Sequence, residues 1–108
     1  MPAVYDLASA FLDARASGRA VTFRSARPRE ALASAACELW RIESFADGLG
    51  STVVTGLLSP GLHLRVSCRE GVPGGYELIL TREPFVSQEV ASAAWTRVVS
   101  DLWKLLDP

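Results

Sequence analysis

The chain has 108 residues, of which 49% are hydrophobic and 21% charged, and a formal net charge of −1. That size and balance suit one domain with a core large enough to fold without metal or disulfide staples, and exclude the polar composition of disordered chains. A charge so near zero removes general attraction to nucleic acid or anionic membranes and leaves only local patches.

Ten of the 11 basic residues are arginines and only Lys104 is a lysine, which together with the many alanines suggests a GC-rich coding genome, bacterial or phage. Cys37 and Cys68 fit no zinc or redox spacing and read as small core residues in a reducing cytoplasm. The first residues lack the basic start and apolar run of a signal peptide. No stretch approaches the ~18 apolar residues of a membrane span, so no membrane association is expected.

Taken in order, residues 4–16 place Val4, Leu7, Phe11 and Ala14 at helical spacing, and Ser17-Gly18 supplies a stop. Ala20–Arg24 reads as a short edge strand. Pro28 is suited to the start of a helix over 29–37, with Leu32, Ala35 and Ala36 as its apolar face. Residues 38–46 are compatible with a continued helix or with a strand. Their aromatic and β-branched content favours the strand, with Trp40 and Ile42 on one face and a hairpin turn over 46–50.

Three runs then alternate or concentrate β-branched residues: 51–58, 62–69 and 76–81. In the second, Leu62, Leu64, Val66 and Cys68 share one face, while His63, Arg65, Ser67 and Arg69 share the other and are expected to meet solvent. Ser59-Pro60-Gly61 and the 71–75 segment are turn signals. Ser87 reads as an N-cap for a closing helix whose apolar arc includes Val90, Ala91, Ala94, Trp95, Val98, Leu102 and Leu105. Val99 and Trp103 fall at the border of that arc.

The expected fold is therefore a single α+β domain over residues 1–108. A mainly antiparallel meander of three to four strands, spanning 38–82, is covered on one face by N-terminal and C-terminal helices. Leu7, Phe11, Leu32, Val54, Leu64, Val66, Leu78, Leu80, Trp95, Val98, Leu102 and Leu105 form the expected core.

Chemistry-bearing motifs are sparse. His63 is the single histidine and has no Gly-x-Ser-x-Gly elbow or second ligand near it in sequence. Gly48-Leu49-Gly50 precedes a strand rather than a helix, which is the wrong context for a phosphate loop. No enzyme activity, metal or cofactor is expected. The favoured reading is a small protein-interaction module: an adaptor, chaperone-like protein or regulatory subunit. It would pair with itself through Val99 and Trp103, and with another protein. The alternative is an anion or nucleic-acid surface made by Arg24, Arg27, Arg29, His63, Arg65 and Arg69, should they converge.

Overall fold

The alternation over residues 62–68 forms a strand in a computed structural model that describes residues 20–42 and 51–106. This strand, β3 (Leu62–Cys68), lies between β2 (Thr52–Ser59) and β4 (Gly75–Arg82), and β1 (Ala20–Arg24) pairs with the outer side of β4. All three pairings are antiparallel, in the order β1-β4-β3-β2. Helix α1 (Arg29–Leu39) follows β1, and α2 (Gln88–Leu106) closes the described chain. This is an α+β architecture. The expected helix over 4–16 and the turn over 46–50 lie outside the described residues.

One sheet face carries the core. Val54, Leu64, Val66, Leu78 and Leu80 are buried in a single cluster with Leu32 and Ala36 of α1 and Val98, Leu102 and Leu105 of α2. Each buried leucine contributes roughly 1.5–3 kcal/mol by leaving water. Trp95 is half-buried and packs against this cluster rather than within it. Phe23 on β1 stacks on its cross-strand partner Tyr76 with ring centroids 5.5 Å apart, a pairing that fastens the five-residue edge strand to the sheet.

Burial pushes the Tyr76 phenol above its ordinary value of 10.0, with Cys68 adding to the rise and Arg29 opposing it. A raised folded-state value means that the unfolded chain loses this proton first. The contribution is neutral below the unfolded value and becomes destabilising as pH climbs through it. Tyr76→Phe should therefore flatten the loss of stability between about pH 9 and pH 11, read as urea midpoints. An unchanged alkaline slope in the variant would contradict this.

The strand expected over 38–46 is corrected as far as the described residues reach. Glu38 and Leu39 belong to α1, and Trp40 caps it by donating its backbone N–H to the Ala36 carbonyl at 3.0 Å. Arg41 then leaves the helix with φ 49°. The physical reason is burial. Leu32, Ala36 and Trp40, four residues apart in turn, all enter the core along one helical stripe, and that packing outweighs the β propensity of the segment. The fourth strand of the sheet is instead Ala20–Arg24.

The second sheet face also departs from expectation. His63 pairs across the sheet with Thr81, Arg65 with Ile79, and Ser67 with Glu77. His63, Ser67, Thr81 and Ile79 on this face are all buried in the folded chain, His63 at 9% exposure. Alternation identifies which residues share a face, but not whether that face meets water.

Candidate interaction surface

Helix α2 is held at both ends by side chains that the sequence places for that purpose. At its start, Ser87 Oγ accepts the Val90 backbone N–H at 3.2 Å, the expected N-cap bond. Val86 before the cap and Ala91 in the first turns are both buried, as in a hydrophobic staple. Arg82 donates to the Val86 carbonyl at 2.8 Å and steadies the entry.

The far end is clasped by the β1–α1 connection. Ser25 Oγ donates to the Leu105 carbonyl at 3.2 Å, and Arg27 Nη2 donates to the Lys104 carbonyl at 3.3 Å. The last carbonyls of a helix lack intrahelical partners and carry partial negative charge, so a hydroxyl and a guanidinium satisfy them favourably. Two ends so fixed leave the outward side of α2 as a rigid surface.

That surface is unusual at one residue. Trp103 is 74% exposed, although an indole side chain ordinarily buries much of its area. Val99, one turn earlier, is half-buried, and among the described residues it belongs neither to the core cluster nor to those packed against it. The structure thus brings Val99 and Trp103 together on the flank of α2. Phe85 and Val90 are also exposed, at the opposite end of the helix.

The six residues of the alternative surface divide. Arg29 and Arg65 meet at Thr52: Arg29 donates to its carbonyl, and Arg65 donates to its hydroxyl at 3.2 Å. Arg27 serves the end of α2, as described. His63 Nε2 lies 3.2 Å from Glu83 Oε2, a carboxylate just past the end of β4. Arg24 and Arg69 are exposed and flank Gly75, one through the β1 pairing and the other through its backbone bond to the Gly75 carbonyl. Two strand spacings, ~10 Å, separate their backbones.

Sequence reasoning missed the uses of Ser25 and Thr52 as fixed points for this machinery. The Ser-x-x-Pro stretch at 25–28 reads locally as a helix start, but nothing in it named a helix end eighty residues away. Among the described residues no group of three histidine, cysteine or acidic side chains could hold a metal ion. No described helix is long and apolar enough to cross a membrane. Cys37 and Cys68 are both half-buried. The chain matches no family model, and neither a curated protein nor a solved structure matches it.

Proposed function

We propose that the protein is a non-enzymatic interaction module that pairs with a second copy of itself through the flank of α2 around Val99 and Trp103. The observation that carries the reading is the exposure of Trp103 on a helix whose two ends are fixed. Tryptophan on a rigid surface suits the centre of an interface, because it removes a large apolar area from water at little cost in conformational freedom.

The helix is favoured over the sheet edges as the contact. Strand β1 is only five residues long, and β2 has register shifts between Thr52 and Val54 and between Leu57 and Ser59. Short and bulged edge strands resist pairing with another chain. Nucleic-acid binding is the weaker reading, since Arg27, Arg29 and Arg65 donate to acceptors within the chain.

Trp103→Glu should leave the far-ultraviolet circular dichroism unchanged, because the side chain is outside the core, and its urea midpoint should match that of wild type diluted until it is monomeric. It should weaken association by ~2 kcal/mol or more, the usual size for an aromatic anchor. Sedimentation equilibrium at micromolar concentration reads the effect. A monomeric wild type, or a variant as dimeric as wild type, refutes the reading.

A further inference from the structure

Resting on the self-association reading, we propose that the two copies of α2 cross antiparallel, with Trp103 of each lying over Ala93 of the other and Val99 at the rim of the contact beside Trp103. Trp103, Ser100, Thr96 and Ala93 are exposed and recur at three- and four-residue spacing along the outward side of α2. None is charged. Residues so spaced form one line along a helix and set the surface another helix meets.

The line is self-complementary in one orientation only. Ala93 and Trp103 are equidistant from position 98, and so are Thr96 and Ser100. A twofold axis through that position therefore places each indole on the smallest side chain of the line and each Thr96 opposite Ser100 of the second copy. Such a symmetric contact closes on itself and stops at two subunits. Parallel alignment would instead set indole against indole and leave the small residues facing one another across a gap.

Charge selects the same orientation. Glu89 and Lys104 are exposed, and they occupy opposite ends of the helix. Antiparallel packing brings Glu89 of each copy within about one helical turn of Lys104 of the other. Parallel packing would align Glu89 with Glu89 and Lys104 with Lys104, a repulsive arrangement. The helix dipoles, too, oppose in the antiparallel pair.

Disulfide trapping of single-cysteine additions tests this. A Thr96→Cys protein mixed with a Ser100→Cys protein and oxidised mildly should yield the mixed disulfide well above random pairing, resolved by mass. Facing positions on closely packed helices lie within the ~4.4–6.8 Å Cα separation a disulfide spans. Ala93→Cys alone should not cross-link beyond the wild-type background set by Cys37 and Cys68, because the antiparallel copies of position 93 are displaced by about 15 Å along the axis. Random pairing in the mixture, or efficient cross-linking of Ala93→Cys in a protein that sediments as a dimer, overturns the orientation but keeps the dimer. A wild type that sediments as a monomer overturns both.

Discussion

Leu64→Ala should lower the free energy of unfolding by ~3–5 kcal/mol, the upper part of the range for leucine truncation in a core. Leu64 is fully buried on β3, between two neighbouring strands. Its β4 partner is Leu80, but its β2 partner is Gly56. A glycine has no side chain to lean into the vacated space, so much of the cavity should persist. The loss compares with a total of about 5–15 kcal/mol for a domain. Urea titration with an unchanged m-value measures it, and a loss under ~1 kcal/mol would mean the strand is not central to the core.

Gly61→Ala should cost roughly 2–5 kcal/mol, from two sources that act together. The residue turns the chain between β2 and β3 with φ +81°, a left-handed conformation that disfavours a Cβ. A Cβ there would also approach Val86 Cγ2 to 2.5 Å and the Phe85 ring to 2.6 Å. Phe85 is exposed and has room to swing away, whereas Val86 is buried in the core. Relief must therefore come from moving the segment that leads into α2, whose Glu83 backbone N–H is bonded to the Gly61 carbonyl at 2.8 Å. Thermal denaturation should show a clear drop in midpoint. Replacement by Asn, which tolerates this conformation better but still carries a Cβ, should cost less in strain while meeting the same contacts. Equal stability of the alanine variant and wild type would place the turn elsewhere.

These two positions show unequal access from sequence. Gly61 follows Pro60 at the end of a β-branched run, so the turn itself is local information. That Phe85 and Val86 pack on it is not, because contact across 24 residues is set by how β4 returns beside β3. The same division holds at the interaction surface. The amphipathic pattern of 88–106 and the Ser87 cap were legible, and with them the marginal place of Val99 and Trp103. The clasp made by Ser25 and Arg27 on the other end was not, because it joins residues nearly eighty apart.

What the sequence by itself determined is the set of elements with strong periodicity: strands β1 to β4, the closing helix and the antiparallel meander that links three of the strands. Side-chain alternation and helical spacing are consequences of backbone geometry, so they survive without knowledge of the surroundings. Tertiary structure alone decided three further matters. It turned 38–40 into helix and cap, because burying Trp40 beside Ala36 outweighed local preference. It buried His63 and Ser67, whose place on the polar side of the alternation had pointed to water. And it turned Arg27, Arg29 and Arg65 to carbonyl and hydroxyl acceptors of the chain. An arginine reads the same in sequence whether it faces solvent or satisfies a buried carbonyl, since the acceptor is supplied by whatever distant segment the fold brings beside it.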